Sequence, residues 1–134
     1  MRIILLLLLL ATPTWGEFSP APFLAKYGWD MVGKPELRKL DIPKEIRGPA
    51  FTNYQSRCEA IGMTLEPFKG RQAMPLYVCT LAQRTGKNKN WKIFAYLLVD
   101  KNQVVGAWLG TDAPIAPGLA SLKDKDFGKN WREH

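Results

Sequence analysis

The stretch that decides the fold is WKIFAYLLVDKNQVVGAWL, residues 91–109. Its first part, residues 91–99, is apolar or aromatic at every position after Lys92, which is typical of a central strand with both faces covered. Residues 100–103 follow as DKNQ, where Asp favours the start of a turn and Asn tolerates a positive φ. Residues 104–109 form a second apolar run. The stretch therefore predicts two antiparallel strands, joined by a tight turn, at the centre of a sheet.

A third strand is predicted before this pair, at residues 72–82, which are rich in strand-forming side chains. Alternation along a strand places Tyr77, Cys79 and Leu81 on one face. The segment before the central pair, residues 84–90, is polar and contains Gly and Asn, a composition typical of a hairpin loop. The three strands are expected to form an antiparallel meander.

Two short helices and an edge strand are predicted on the amino-terminal side of the meander. Residues 20–29 carry apolar side chains at helical spacing, and residues 31–43 suit an edge strand bounded by prolines. Residues 49–61 predict the second helix. Its apolar face consists of Ala50, Phe51, Tyr54, Cys58 and Ile61. The predicted fold class is α+β, with two short helices packed on a three- to four-stranded antiparallel β-meander.

The amino terminus has the three-part layout of a signal peptide. Arg2 supplies the cation, residues 3–11 form an apolar run, and residues 12–16 are polar and rich in helix breakers. The apolar run is less than half of the ~20 residues that a bilayer-spanning helix needs, so no membrane anchor is expected after cleavage. We expect residues 1–16 to be removed and the protein to be exported, to a periplasm or to the extracellular medium.

Removal of the signal leaves one α+β domain, residues 17–122, and a charged carboxyl-terminal tail, residues 123–134. A domain of this size buries enough surface for one hydrophobic core and no second domain.

The two cysteines predict a single disulfide between helix and strand, Cys58–Cys79, because an exported chain meets an oxidising compartment. Cys58 lies on the apolar face of the second helix, and Cys79 shares a strand face with Tyr77 and Leu81 that is expected to pack against that helix. A nucleophilic or redox-active thiol is the alternative. The chain lacks a Cys-x-x-Cys pair, and its one histidine is the last residue, His134.

The charge of the chain points to anionic partners. The formal net charge is +7 at pH 7, which favours contact with acidic surfaces, although cations interspersed with acids are also typical of a solvated surface. Cations flank an aromatic ring at the predicted hairpin tip, an arrangement that can bind a phosphate polymer, a single-stranded nucleic acid or an acidic protein. These candidate ligand-binding residues are Arg84, Lys87, Lys89, Trp91 and Lys92. The alternative is a solvated hairpin end with Trp91 turned into the core.

A second candidate binding element is the loop at residues 110–118, which contains two prolines and Asp112. Stiff, exposed loops of this kind occur in protease inhibitors and adaptors. The loop therefore makes an inhibitor or regulator of an extracellular enzyme an alternative function.

Catalytic and cofactor motifs are sparse in this sequence. A metal site built on histidines is excluded by the histidine count, and no phosphate-binding loop or Gly-x-Gly-x-x-Gly motif occurs, so no metal, cofactor or nucleotide is expected. Nucleic acid is not the expected partner. Paired carboxylates could cleave glycosides, which makes a small cell-wall hydrolase a further alternative. The candidate acids are Glu36, Glu45, Glu59, Glu66 and Asp112. The leading prediction is a non-enzymatic binding domain of unknown ligand, with an envelope protein or an anionic polymer as its partner.

Short motifs follow one another along the chain in a distinctive order. They are Phe23-Leu24, Tyr27-Gly28-Trp29, Ile42-Pro43, Tyr54, Gly62, Leu65, Pro67-Phe68-Lys69-Gly70, Leu97-Leu98-Val99 and Val104-Val105-Gly106. This order resembles a family of bacterial exported or envelope proteins, domain-of-unknown-function family 4830. The resemblance implies a small α+β domain behind a signal sequence, and it brings no established activity or catalytic residues.

Overall fold

The computed structural model describes residues 18–86, 88–114 and 118–127. The elements, in chain order, are α1 (Pro20–Lys26), β1 (Glu36–Leu40), α2 (Gly48–Glu59), a 3-10 turn (Glu66–Phe68), β2 (Met74–Thr85), β3 (Trp91–Asp100), β4 (Gln103–Thr111) and β5 (Leu119–Ala120). The predicted signal peptide, Lys87 and residues 128–134 of the predicted tail lie outside the described residues.

The strands form one antiparallel sheet in which spatial order follows chain order, β1-β2-β3-β4-β5. The predicted α+β class and the central meander are confirmed. The sheet has five strands, however, so the prediction of three to four strands was wrong. The missed strand is β5, which contains only two residues and pairs with Leu109 and Gly110 at the end of β4. A strand that short carries no alternation for a sequence pattern to reveal.

Both faces of the sheet are covered. One face, called here the α1 face, packs against α1, Trp29 and the segment 121–127; its strand residues are Cys79, Leu81, Ile93, Ala95, Leu97, Ala107, Leu109 and Ala120. The other, called the α2 face, packs against Cys58 of α2 and against Leu65; its strand residues are Met74, Leu76, Val78, Leu98 and Trp108. The central strands are therefore apolar on both sides because each side faces a different layer.

The predicted disulfide is absent, because Cys58 and Cys79 are both free thiols. Cys58 belongs to the core on the α2 face and Cys79 to the core on the α1 face, so the sheet lies between them. The prediction correctly placed Tyr77, Cys79 and Leu81 on one face of β2 but wrongly packed that face against α2. It is the opposite face of β2 that lies on the same side of the sheet as α2.

The segment after β5 is bound to the α1 face by two buried hydrogen bonds. The indole nitrogen of Trp29 donates to the carbonyl of Leu122 at 2.8 Å, and the hydroxyl of Thr85 donates to the carbonyl of Phe127 at 2.6 Å. Phe127 is only 4% exposed. The core therefore extends past residue 122, where the composition predicts a charged tail, while the wider division of the chain stays a prediction.

Candidate anion-binding cleft

A cleft of about 480 Å³ opens on the α1 face beside the β2–β3 hairpin. It combines a buried apolar floor with a charged rim. The buried residues that line it are Trp29, Thr85, Ile93 and Phe127. The exposed charged residues that line it are Arg84, Lys89, Lys125 and Asp126. We call this feature the basic cleft.

The floor of the basic cleft is held by the two hydrogen bonds that bind the carboxyl-terminal segment to Trp29 and Thr85. Above the floor, the ammonium of Lys125 lies 5.1 Å from the centre of the Trp29 ring, within cation–π range. Gly28 makes this position possible, because a side chain there would collide with that ammonium. Its φ of +81° is also one that glycine adopts without strain.

The hairpin places the other two cations. Thr85 pairs with Trp91 across the two strands. The turn between them uses positive φ angles at Gly86 and Lys89, 95° and 58°. The guanidinium of Arg84 donates to the carbonyl of Asn90 at 3.4 Å, and the amide of Lys89 donates to the carbonyl of Gly86 at 3.1 Å. The loop chemistry therefore brings Arg84 and Lys89 to one rim.

The charges on the rim are poorly compensated. Within the described part of the chain, Arg84, Lys89 and Lys125 form no salt bridge, whereas Arg38, Arg47, Lys69 and Arg71 each pair with a carboxylate. Among the described lining residues, Asp126 is the one acid beside three cations. Cations gathered around a concave surface create a local positive potential that attracts anions.

The structure brings together two of the six residues predicted to bind a ligand, Arg84 and Lys89. Trp91 is half-buried and outside the described lining of the cleft, and no described residue accepts a hydrogen bond from its buried indole nitrogen. The carboxylate of Asp112 accepts the amide proton of Lys92 at 2.7 Å, so these two residues are joined to each other. Lys87 lies outside the described residues. The binding role of all six stays a prediction.

Sequence reasoning missed Trp29 and Lys125. Trp29 follows α1, far from the hairpin in the chain, and Lys125 belongs to a segment whose charges predict a tail. The packing of Phe127 into the core brings that segment to the cleft. An aromatic residue within a charged segment is the one sequence signal that could have revealed this packing.

The carboxylates proposed for glycoside cleavage are distributed over the surface. Three pair with cations, Glu36 with Arg38, Glu45 with Arg47 and Glu66 with Lys69. The hydrogen bond and charge of Arg38 lower the pKa of Glu36. Glu59 and Glu66 are the two that share a concave surface, a shallow depression beside α2 that also contains Ser56 and Thr64.

The two thiols have the properties of core residues. Burial raises the pKa of both Cys58 and Cys79 to about 11. The Cys58 thiol donates to the carbonyl of Ala107 at 3.7 Å, a hydrogen bond that only the protonated thiol can make. Both thiols are therefore protonated at neutral pH. The reactive form of cysteine is the thiolate, so neither thiol has the properties of a nucleophile.

In residues 18–86, 88–114 and 118–127, no group of three or more His, Cys, Asp or Glu side chains is placed to hold a metal ion. None of the helices in this part of the chain combines the length and apolar character needed to span a bilayer.

The family model described as Domain of unknown function (DUF4830) matches residues 23–109. The chain belongs to the DUF4830 family. The resemblance expected from the order of motifs is thus confirmed. No curated protein and no solved structure matches the chain.

The DUF4830 match runs from α1 into β4, so it includes most of the sheet, all of α2 and the last four residues of α1. Of the basic cleft, it includes Trp29, Arg84 and Lys89 and leaves Lys125 outside. The cleft is therefore built by the DUF4830 region together with the segment that follows it.

Proposed function

We propose that this DUF4830 chain is a non-enzymatic, exported binding domain whose basic cleft binds an anionic polymer of the cell envelope. The observation that carries the proposal is the convergence of Arg84, Lys89 and Lys125 on one cleft without a salt bridge among the described residues. Export is supported by the signal-peptide pattern of residues 1–16.

Two features of the cleft suit a repeated phosphate or carboxylate group. The three cations come from two segments that the fold places side by side, so several anionic groups of one chain can be contacted at once. Lys125 is positioned by the Trp29 ring beneath it, which limits the conformational entropy that it loses on binding.

The test measures binding of inorganic polyphosphate to the purified protein by isothermal titration calorimetry at low and high salt. Arg84→Gln and Lys89→Gln should each weaken binding about twofold to fivefold, because an exposed charge contact contributes ~0.2–1 kcal/mol. Lys101→Gln is the matched control, since Lys101 lies in the β3–β4 turn at the other end of the meander.

Binding should also weaken as salt screens the charges. The proposal is wrong if polyphosphate does not bind at low salt, or if the two cleft variants and the control behave alike.

A second candidate function, hydrolysis of a cell-wall polymer, is favoured by one observation, the shared depression of Glu59 and Glu66. A hydrolase should release soluble fragments from purified cell wall, and Glu59→Gln should abolish that release without changing the unfolding transition. The absence of fragments from the unaltered protein would exclude this function for the substrate tested.

A further inference from the structure

A second concave surface lies on the α2 face, on the other side of the sheet from the basic cleft. It has a volume of about 330 Å³, and we call it the tyrosine groove. Its lining includes Arg38, Leu76, Tyr96, Trp108 and Leu119 from the five successive strands, and Tyr54 from α2. Because neighbouring strands lie ~4.8 Å apart, a groove that crosses five strands is about 19 Å long. The groove therefore suits an elongated ligand.

The aromatic rings of the groove are mostly occupied with one another. Trp108 stacks with Tyr54 at a centroid distance of 4.3 Å and with Tyr96 at 6.0 Å, each with an interplanar angle of 12°. Only 2% of Trp108 is exposed, so its indole is not available to stack on a sugar ring or a base. What the groove offers a ligand is tyrosine edges and the half-buried side chains of Leu40 and Leu119, because Leu76 is only 6% exposed. These surfaces suit a flexible apolar chain.

The polar groups that line the groove include two cations, Arg38 and Lys39, and two phenols. Arg38 lies on β1, at one edge of the sheet, with its side chain 52% exposed. Burial raises the pKa of Tyr96, and the nearby Arg38 opposes that rise, so the phenol is protonated at neutral pH and can donate a hydrogen bond. No other described residue hydrogen-bonds to the hydroxyl of Tyr54 or Tyr96. A guanidinium beside free hydroxyls is suited to an anionic oxygen group.

The charge of this end favours a single negative charge over a double one. Arg38 already pairs with Glu36 at 2.9 Å, so part of its charge is neutralised. An incoming anion competes with Glu36 for the same guanidinium. Arg38 and Lys39 together exceed the charge of Glu36 by one. One carboxylate neutralises that excess, whereas a dianionic phosphate would add a further negative charge beside Glu36.

We propose that the tyrosine groove binds a single-chain amphiphile with a carboxylate head group. The apolar chain lies along the edges of Tyr54 and Tyr96 toward Leu119, and the carboxylate contacts Arg38 and the hydroxyl of Tyr96. This site is separate from the basic cleft, and neither proposal depends on the other.

The test titrates the full-length protein with decanoate, below its micelle concentration, and follows binding by calorimetry and by NMR shifts of the groove residues. Arg38→Gln should weaken binding about tenfold, which corresponds to ~1.4 kcal/mol for one charge-assisted hydrogen bond at a half-exposed site. Glu36→Gln should strengthen binding, because it removes the competing carboxylate. Arg47→Gln is a matched control, because Arg47 and Glu45 form the same kind of exposed pair two residues apart.

A second variant tests the shape of the groove without changing its charge. A Cβ at Gly110 would lie 2.8 Å from Cε2 of Tyr96, so Gly110→Ala displaces that ring and should also weaken decanoate binding. Arg84→Gln in the basic cleft should leave it unchanged, which separates this site from the cleft.

Decanol and acetate serve as probes of the chain alone and of the head group alone, and both should bind more weakly than decanoate. The proposal is overturned if decanoate does not bind, if decanol binds as well, or if Arg38→Gln and Arg47→Gln have the same effect. Binding of a chitin oligosaccharide or of a peptide carboxyl terminus at these residues in place of decanoate would overturn it as well.

Discussion

Replacement of Gly106 by alanine tests how tightly α2 packs on the sheet. Gly106 lies in β4 on the α2 face, and a Cβ at this position would lie 2.9 Å from Cδ2 of Leu65 and 3.2 Å from Sγ of Cys58. Both neighbouring side chains are fully buried, so neither can swing into solvent. The φ of Gly106 is not in the left-handed region, so the added methyl group acts through packing and not through backbone strain.

The magnitude follows from two opposing effects. Overpacking a close-packed core costs ~1–3 kcal/mol. The substitution also reduces the conformational entropy of the unfolded chain, which stabilises the fold by ~0.4–1 kcal/mol. The expected net loss for Gly106→Ala is about 1–2 kcal/mol, which lowers the melting temperature of a domain of this size by roughly 5–10 °C.

The assay is urea unfolding of a double-mutant cycle that combines Gly106→Ala with Cys58→Ala. Removing the sulfur makes room for the added methyl group, so the double variant should be more stable than the sum of the single effects by ~1 kcal/mol. Gly110→Ala is the comparison and should destabilise the fold less than Gly106→Ala. The side chain that its methyl group meets is Tyr96, which is only half-buried and can move. A Gly106→Ala protein as stable as the original, or purely additive effects, would refute this account of the packing.

Three further predictions concern the buried thiols and the carboxyl-terminal segment. Cys58 and Cys79 should both resist thiol reagents in the folded protein and both react after unfolding without reductant; a mass showing a disulfide in the native protein would contradict the structure. Because burial raises the pKa of each thiol from 9.0 to about 11, unfolding releases protons above pH 9. Stability should therefore be fully present below pH 9 and fall by ~1–3 kcal/mol per thiol as pH rises to 11. Urea unfolding of a variant with both Cys58→Ala and Cys79→Ala should show a smaller loss of stability between pH 9 and 11. An equal loss would contradict the assignment of this pH dependence to the thiols. Thr85→Val removes the buried hydrogen bond to Phe127 and should lower the free energy of unfolding in urea by ~1–2 kcal/mol. An unchanged free energy of unfolding would show that the segment 121–127 is not bound to the sheet in solution.

The centre of the sheet could be predicted because its residues carry local chemistry. Lys101 and Asn102 adopt positive φ angles of 50° and 62°, as the predicted tight turn between β3 and β4 requires. The helix predicted over residues 49–61 occurs as Gly48–Glu59. In these places one short segment contains the whole signal, so no knowledge of the rest of the chain is needed.

The layer that covers each face could not be predicted, because β2 and β3 are apolar on both sides. Alternation correctly separates Cys79 from Val78, but it does not say which of them faces α2. That choice depends on where the segment after β5 packs, and its charged residues conceal the aromatic anchor Phe127. The same limitation applies to the basic cleft. Arg84 could be predicted because it belongs to the hairpin, but Trp29 could not, because only tertiary packing brings it to the cleft.

The paired positions of β4 also determine how the strands align. In a sheet with one solvent-exposed face, a one-residue slip is unfavourable because it turns the apolar side chains toward solvent. A sheet covered on both faces lacks that penalty. Here the discrimination comes from size, since Gly106, Trp108 and Gly110 alternate small, large and small along the α2 face. A slip of one residue would remove the space that Gly110 leaves for the Tyr96 ring and would turn Trp108 toward the opposite layer. Side-chain volume thus reinforces the register that the tight turn at Lys101 and Asn102 sets for β3 and β4, so exchanging the sizes of these three side chains should favour a shifted alignment even though every residue stays apolar.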